Sequence, residues 1–190
     1  SDWSSDVCSS DLLHRPVDGG GPRAALGAPR GLRARHVAAA AGDHHDLRCA
    51  FVDSRDWTVT DATFGSAVVD WPATEARARE AWAKLSKAGE RGPIGVTTGF
   101  LGRTPDGRTT TLGRNGSDYT ATLVAGLLQA SAVTVWTDVL GVMTADPALV
   151  REATPVDRLS YDEALELAYF GTRMFHPRTI IPLRECGAAL

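Results

Sequence analysis

A glycine-rich turn that leads directly into a helical pattern constrains the fold of this chain more than any other feature. In the run TTTLGRNGSDYTA, residues 109–121, an arginine lies between two glycines, and a serine and an aspartate follow the second glycine. From Ala121 onward, apolar residues recur at helical spacing to about residue 131, which predicts a helix with Ser117 as its N-cap. Glycines permit close backbone approach, helix-start amides point outward, and a guanidinium offers a two-pronged contact. The run therefore predicts an anion-binding turn.

Strands and helices alternate along the chain from about residue 50. Glycine, proline and capping residues separate the apolar runs, and the pair Ser160 and Glu163 forms a capping box. The predicted strands cover residues 50–53, 94–98, 109–112 and 133–137, and the predicted helices cover 73–88, 117–131, 160–170 and a segment starting at Pro177. This alternation is typical of an α/β fold with a largely parallel sheet, in which ligands bind at the carboxyl ends of the strands.

A second polar turn follows the predicted strand at residues 133–137. Thr137 and Asp138 lie at the end of that strand and suit a nucleotide, while Arg114 and the start of the helix suit a substrate carboxylate. Phosphoryl transfer depends mainly on positioning and on positive charge near the transferred oxygens. Two such turns favour a phosphate-handling enzyme over a binding module.

Simpler interpretations of these residues stay open. Asp118 also suits the first turn of any helix, Arg114 also suits an exposed loop, and Asp138 also suits a turn cap. His176, which precedes Pro177, is more typical of a structural role than of a catalytic one. The chain contains neither a Walker A loop nor a G-x-G-x-x-G fingerprint, which argues against the common NTPase and dinucleotide-binding classes.

Composition excludes several classes of protein. The net charge of −3 gives no polycationic surface, so we expect no nucleic-acid partner. No stretch approaches the roughly 18–20 apolar residues of a membrane helix, and the start of the chain does not resemble a signal peptide, so we expect a cytoplasmic protein without a membrane partner. The three cysteines and the adjacent His44 and His45 lack the spacing of a metal site, so none is predicted.

The first 48 residues differ in character from the rest. Residues 1–13 have no apolar periodicity and resemble translated sequencing-adapter read-through, and the following stretch is crowded with Arg, Gly, Ala and Pro, as in a GC-rich gene read out of frame. We therefore predict that residues 1–48 are non-native or disordered and that residues 49–190 carry the fold.

The motifs resemble those of aspartate kinases, a group within the amino-acid kinase superfamily. The run Leu-Gly-Arg-Asn-Gly-Ser-Asp-Tyr and the Phe-Gly…His-Pro segment carry the most specific part of this resemblance. The matching segments are residues 99–131, 135–147 and 160–183, with a weaker match at 51–74. The resemblance implies a three-layer α/β/α sandwich with a largely parallel central sheet, incomplete at its N-terminus. Residues 49–190 would form the C-terminal part of the catalytic domain.

The resemblance also implies an activity and a set of site residues. Aspartate kinases transfer the γ-phosphoryl group of Mg-ATP to the side-chain carboxylate of L-aspartate, the entry to lysine, threonine and methionine biosynthesis. ATP and Mg²⁺ are the implied cofactors, and the parent enzyme is expected to be a homo-oligomer. By motif, the implied residues are catalytic Asp118 and Arg114; substrate-binding Phe100, Gly102, Arg114, Asn115, Gly116 and Ser117; and ATP-binding Thr137, Asp138, Met143, Ala148, Arg173, Met174, Phe175, His176, Pro177 and Arg178.

The chain departs from the family pattern at several positions. The family's opening Lys-Phe-Gly-Gly and its Gly-Glu pair, which would fall within or before residues 1–48, do not occur there, and the chain stops before the regulatory ACT domains typical of the family. Met143 and Ala148 stand where many members have Tyr and Arg, and Arg173 replaces a Lys. We therefore expect no aspartyl-phosphate formation by this chain alone. Alternative parents are a glutamate 5-kinase, an acetylglutamate kinase or a non-catalytic regulatory remnant.

Overall fold

The fold alternates strands and helices, as the sequence predicts. The computed structural model describes residues 12–14, 23–27, 49–86, 94–135, 141–170 and 176–190. The strands are β1 Leu12–His14, β2 Arg23–Gly27, β3 Cys49–Val52, β4 Ile94–Thr98, β5 Leu101–Arg103, β6 Thr109–Thr111 and β7 Ala132–Thr134. The helices are α1 Ser54–Trp57, α2 Trp71–Ser86, α3 Gly116–Leu128, α4 Tyr161–Tyr169 and α5 Pro177–Cys186.

The central sheet has the strand order β3-β4-β2-β1-β7. Strand β4 pairs in parallel with β3 and β2, whereas β1 is antiparallel to both β2 and β7. It follows that β7 runs in the same direction as β2, β3 and β4, and that only β1 is reversed among these five strands. The carboxyl ends of β4 and β7 therefore face the same edge of the sheet, where ligands of α/β folds gather.

Two of these strands lie within residues 1–48. Strand β2 pairs with β4 over its whole length, from Arg23 opposite Ile94 to Gly27 opposite Thr98. Strand β1 lies between β2 and β7. These two segments thus have places in the sheet, while the rest of residues 1–48 lies outside the described residues. The predicted non-native origin of the stretch stays a prediction.

An apolar core joins the helices to the sheet. The indole rings of Trp57 and Trp82 meet edge to face with centroids 6.4 Å apart. Leu123 of α3 and Leu183 of α5 belong to the same core, and all four side chains are almost fully buried. Buried aromatic and leucine side chains of this size each contribute roughly 1.5–3 kcal/mol. This core holds α3 and α5 in fixed positions relative to each other.

Helix α2 begins earlier than the sequence predicts. We expected a start at residue 73, after Pro72, but the helix begins at Trp71. The carboxylate of Asp70 accepts a hydrogen bond from the Ala73 amide at 3.1 Å, and its carbonyl accepts one from Thr74 at 2.9 Å. Proline is tolerated in a first helical turn because no intrahelical N–H is needed there. The expected end of this helix lies outside the described residues.

The starts of the last two helices agree with the sequence. Ser160 Oγ accepts from the Glu163 amide at 3.2 Å, and Glu163 Oε2 accepts from the Ser160 amide at 2.7 Å, which confirms the capping box. Helix α5 begins at Pro177 as predicted. Both helices therefore start at positions set by short-range signals.

Candidate functional site

A β-hairpin brings the first predicted substrate segment back to the glycine-rich turn. Strand β4 ends at Thr98, and the chain continues through Phe100 into β5, which pairs with β6 so that Leu101 lies opposite Thr111. At the open end of this hairpin, the Leu112 amide donates to the carbonyl of Phe100 at 2.9 Å. Phe100 is therefore held next to the turn that begins at Gly113.

The turn itself ends in the helix start, but not at the predicted N-cap. Gly113 has a positive φ of +79°, and its carbonyl accepts from the Gly116 amide at 3.0 Å. Asn115 is the N-cap with a left-handed φ of +54°, and helix α3 begins at Gly116. The prediction that Ser117 caps the helix is therefore wrong. The tight turn closed by Gly113 sets the helical conformation one residue before Ser117, which lies buried in the first turn.

The start of α3 retains the properties of an anion-binding site. In the part of the chain that the structure describes, the Asn115 side chain makes no capping bond to the helix amides. Instead, Asn115 Nδ2 donates to Asp118 Oδ2 at 3.2 Å, which holds the half-buried Asp118 carboxylate. The amides of the first turn carry the positive end of the helix dipole. An anionic group is therefore favoured at this point.

Two arginines lie beside this helix start. Arg114 is exposed within the turn, and Arg178 Nη1 lies 3.5 Å from the carbonyl oxygen of Leu112, directly before it. His176 Nδ1 accepts from the Arg178 amide at 3.2 Å and so caps α5. Burial and then the charges of Arg178 and Arg114 lower the pKa of His176. Two guanidinium groups and the starts of two helices thus lie close together.

Sequence reasoning missed the capping role of His176. The predicted structural role agrees with the observed cap, and the position directly before a proline at a helix start is the signal that identifies it. Its implied contact with ATP stays a prediction, as does that of Pro177.

A loop from an earlier part of the chain, residues 61–68, packs against the turn, and we call it the bracing loop. The sequence analysis did not predict this contact. The Ala67 amide donates to the Thr111 carbonyl at 3.0 Å. A Cβ on Gly113 would lie 3.0 Å from the Gly65 carbonyl oxygen, so the two backbones are in close contact. Asp61 organises this loop by accepting from the amides of Thr63 and Val68, at 3.1 and 3.0 Å.

These bonds explain the electrostatics of the bracing loop. The backbone hydrogen bonds from Val68 and Thr63 lower the pKa of Asp61, and the charge of Arg178 lowers it further. The lowered pKa keeps the Asp61 carboxylate ionised, and its negative charge interacts with the positive charge of Arg178. The only sequence signal for this loop is an Asp followed two residues later by Thr, a pattern typical of a local turn.

Two of the predicted substrate-binding glycines have packing reasons to be glycine. A Cβ on Gly102 would lie 2.7 Å from Thr60 Cγ2, and a Cβ on Gly116 would lie 2.6 Å from Phe100 Cδ2. Both contacts are shorter than real Cβ atoms tolerate. The absence of a side chain is therefore explained without a ligand, and substrate contacts by these glycines stay predictions.

The predicted ATP-binding residues fall into three sets. His176, Pro177 and Arg178 start α5 beside the turn. Met143 and Ala148 belong to the segment 141–157, in which Met143 bridges to Pro155 and the Ala148 amide donates to Asp146 Oδ1 at 2.9 Å. The remaining residues lie outside the described part of the chain: Thr137, Asp138, Arg173, Met174 and Phe175.

The residues that the structure describes lack two further features. Among them, no group of three or more His, Cys, Asp or Glu side chains is arranged to hold a metal ion. None of their helices has the length and apolarity needed to cross a membrane.

The sequence that forms this fold and this turn also identifies the family of the chain. The sequence pattern of the amino acid kinase family matches residues 24–190, and the chain belongs to this family. The match begins at the second residue of β2, inside the stretch predicted to be non-native. It confirms the superfamily and the α/β fold class that the motifs implied.

Individual relatives narrow the similarity to aspartokinases, as the motifs suggested. The chain is 43% identical over 138 residues to bifunctional aspartokinase/homoserine dehydrogenase 2 of Arabidopsis thaliana, covering 72% of this chain and 14% of that protein. It is 41% identical over 138 residues to lysine-sensitive aspartokinase 3 of Escherichia coli, covering 72% and 30%. The crystal structure of E. coli aspartokinase III in complex with aspartate and ADP superposes with a TM-score of 0.69 at 39% identity, covering 74% of this chain and 31% of that chain. The chain thus spans less than a third of these relatives.

Proposed function

We propose that the protein represented by this chain is an aspartate kinase. It transfers the γ-phosphoryl group of Mg-ATP to the side-chain carboxylate of L-aspartate and yields 4-phospho-L-aspartate. The observation that carries the proposal is the proximity of Arg114 and Arg178 to the start of α3, where an anion is favoured. The similar E. coli enzyme was crystallised with aspartate and ADP, which supports the same pair of ligands here.

In this proposal the glycine-rich turn binds the amino acid. Arg114 binds a substrate carboxylate through two parallel hydrogen bonds, and the amides at the start of α3 add further donors. Asp118, held by Asn115, orients the substrate ammonium group or a neighbouring cation. Phe100 lies against Gly116 and lines the same position.

The phosphate side of the site uses the start of α5. Arg178 supplies positive charge to the phosphates, and the lowered pKa of His176 keeps its ring neutral, so that Nδ1 can accept the Arg178 amide. Bound Mg²⁺ neutralises phosphate charge, and we propose that it enters on the nucleotide, since the described residues offer no metal cluster of their own. Thr137, Asp138 and Arg173 complete the proposed nucleotide contacts.

The setting of the activity is part of the same proposal. We place residues 49–190 in the C-terminal part of the catalytic domain of a cytoplasmic homo-oligomer that contacts neither nucleic acid nor membrane. The isolated chain is expected to bind its ligands without turnover, because the phosphate-neutralising lysine of the family does not occur in it.

Calorimetric titration with L-aspartate, L-glutamate and N-acetyl-L-glutamate, each in the presence of Mg-ADP, tests the substrate class. We expect L-aspartate to bind at least about tenfold more tightly than the other two, since the site is built for one carboxylate spacing. A preference for glutamate or its N-acetyl derivative contradicts the proposal. A hydroxamate assay with ATP and aspartate checks turnover, which we expect from the whole enzyme and not from this chain.

A further inference from the structure

A buried threonine one turn into α3 joins two parts of the proposed substrate site. We propose that Thr120 is a positioning residue, which locks Phe100 onto the start of α3 and so preforms the site that binds the amino-acid substrate. This inference rests on the proposed function, because the ligand that it concerns is L-aspartate.

The hydroxyl of Thr120 makes two hydrogen bonds at once. Thr120 is fully buried, and its Oγ1 accepts from the Phe100 amide at 3.0 Å while donating to the Gly116 carbonyl at 2.8 Å. A hydroxyl has one proton to donate and lone pairs that accept, so both bonds form without conflict. One side chain therefore connects the turn after β4 with the first residue of α3.

Phe100 requires such external support because of its backbone conformation. Its φ of +71° is a left-handed value that non-glycine residues rarely adopt. Conformations of this kind persist only where the surrounding structure fixes them, and they cluster at functional sites. The carbonyl of Phe100 accepts from Leu112, its amide donates to Thr120, and its ring lies where a Cβ of Gly116 would be. Loss of the Thr120 hydroxyl removes one of these three supports.

A purely structural role has a different pattern of contacts, and the same helix provides an example. A threonine hydroxyl that bonds a carbonyl of the preceding helical turn is a common feature. Thr122 is also buried, and its Oγ1 donates to the Tyr119 carbonyl at 3.1 Å, so that its described bond stays within α3. Thr120 differs because its second bond reaches a residue twenty positions earlier in the chain.

Four variants of the chain separate these roles. Thr120→Val removes the hydroxyl and keeps the shape, Thr120→Ser restores the hydroxyl, and Thr122→Val is the matched control. Gly116→Ala disturbs the position of Phe100 independently of Thr120. Its new Cβ would lie 2.6 Å from Phe100 Cδ2, so the ring would have to move. Two quantities are measured for each: hydrogen exchange of the Phe100 amide, and the dissociation constants of L-aspartate and Mg-ADP by calorimetry.

The expected pattern is selective for the amino acid. In Thr120→Val the Phe100 amide exchanges at least about tenfold faster and the aspartate dissociation constant rises about tenfold, while that of Mg-ADP stays within about twofold. Thr120→Ser returns both values to within about threefold of the parent, and Thr122→Val changes neither. If Thr120→Val does not fold, Gly116→Ala must show the same selective loss of aspartate binding.

Each contrary result has a distinct signature. Faster exchange with unchanged aspartate affinity shows that Thr120 is merely structural and overturns the inference, while the proposed function stands. An equal loss in Thr122→Val shows general destabilisation and also overturns it. If the parent chain binds no aspartate although its Phe100 amide is protected through Thr120, the proposed function fails, and the positioning role fails with it.

Discussion

The glycine-rich turn at residues 113–118 and the segment at residues 141–157 are both implied to bind ligands, yet they are held in different ways. The turn is contacted by the loop that contains Gly65 and by Phe100, and the side chain of Arg178 contacts Leu112 directly before it. The segment contains hydrogen bonds between its own residues. The Thr144 amide donates to the Thr154 carbonyl at 2.9 Å, and the Val156 amide donates to the Val142 carbonyl at 2.8 Å.

The two regions also differ in how freely their sequence can change. In the turn, the space for a side chain at Gly113 or Gly116 is already occupied by backbone or ring atoms from elsewhere in the chain. In the segment, Ala148 and Leu149 are exposed, and Leu149 is 84% accessible. Two of the residues that depart from the aspartate kinase pattern, Met143 and Ala148, lie in the second region. A fixed geometry is typical of a preformed binding site.

Replacing the arginine of the turn has the largest expected effect. Arg114→Gln removes the charge and the proposed two-pronged contact with the carboxylate, so we expect the affinity for L-aspartate to fall about a hundredfold. Calorimetry measures this change, and the affinity for Mg-ADP is expected to stay within about threefold. Arg151→Gln, at an exposed position of the 141–157 segment, is the control and should bind aspartate as the parent does. Equal losses in both variants contradict the distinction between the regions.

A substitution at Gly113 measures the contact with the bracing loop. Gly113→Ala combines a left-handed backbone with a Cβ that would lie 3.0 Å from the Gly65 carbonyl oxygen. We expect it to lower the free energy of unfolding by about 2–3 kcal/mol in urea denaturation. Gly187→Ala, with a similar φ of +69° and nothing within 4 Å of the new Cβ, isolates the backbone strain. It should lose only about 1 kcal/mol, and equal losses would show that the loop contact contributes nothing.

The cap of α5 predicts a pH dependence of moderate size. The pKa of His176 is lowered in the folded chain, so folding disfavours its protonation. This contribution to stability is fully present above the unfolded-state pKa of about 6.5 and declines as the pH falls below it. Protonation also removes the lone pair of Nδ1 that accepts the Arg178 amide.

Comparing His176→Asn with the parent chain checks this dependence. Asparagine is a good N-cap that does not titrate. Between pH 8 and pH 5.5, we expect the parent to lose up to about 1 kcal/mol more unfolding free energy than the variant. Identical pH profiles would show that His176 does not cap α5 through an unprotonated ring.

The smallest expected effect on stability belongs to the 141–157 segment. Ala148→Arg introduces the residue that many aspartate kinases have at this position, and because the site is exposed, the unfolding free energy should change by less than about 0.5 kcal/mol. The Mg-ADP dissociation constant should fall about threefold, as for one added charge near a phosphate. A larger loss of stability would mean that this segment is more tightly packed than the contacts of Ala148 indicate.

The features that the sequence predicted correctly depend on residues close to one another in the chain. The Ser160 and Glu163 capping box is complete within four residues, and Pro177 at the start of α5 is a signal that acts alone. The apolar periodicity that predicted α3 is likewise local. Such signals are strong because few competing contacts intervene.

The features that sequence reasoning missed depend on distant contacts. The N-cap of α3 is Asn115 and not Ser117, because the carbonyl of Gly113 accepts a hydrogen bond from the Gly116 amide. This bond depends on the conformation of the whole turn. The loop at Asp61 braces the turn through residues about fifty positions apart, and no local pattern indicates that pairing. The packing around Gly102 and Gly116 is a further example, because the side chains of Thr60 and Phe100, which are distant in the chain, occupy the space that their Cβ atoms would fill.

The proposed binding of L-aspartate at the start of α3 can be tested directly. Its most direct test is titration of the ¹⁵N-labelled chain with L-aspartate, followed by amide chemical shifts. We expect the largest shift changes at Phe100, Gly116, Ser117 and Asp118, with small changes in residues 141–157. Saturable changes centred elsewhere, or no changes at millimolar aspartate, would contradict it.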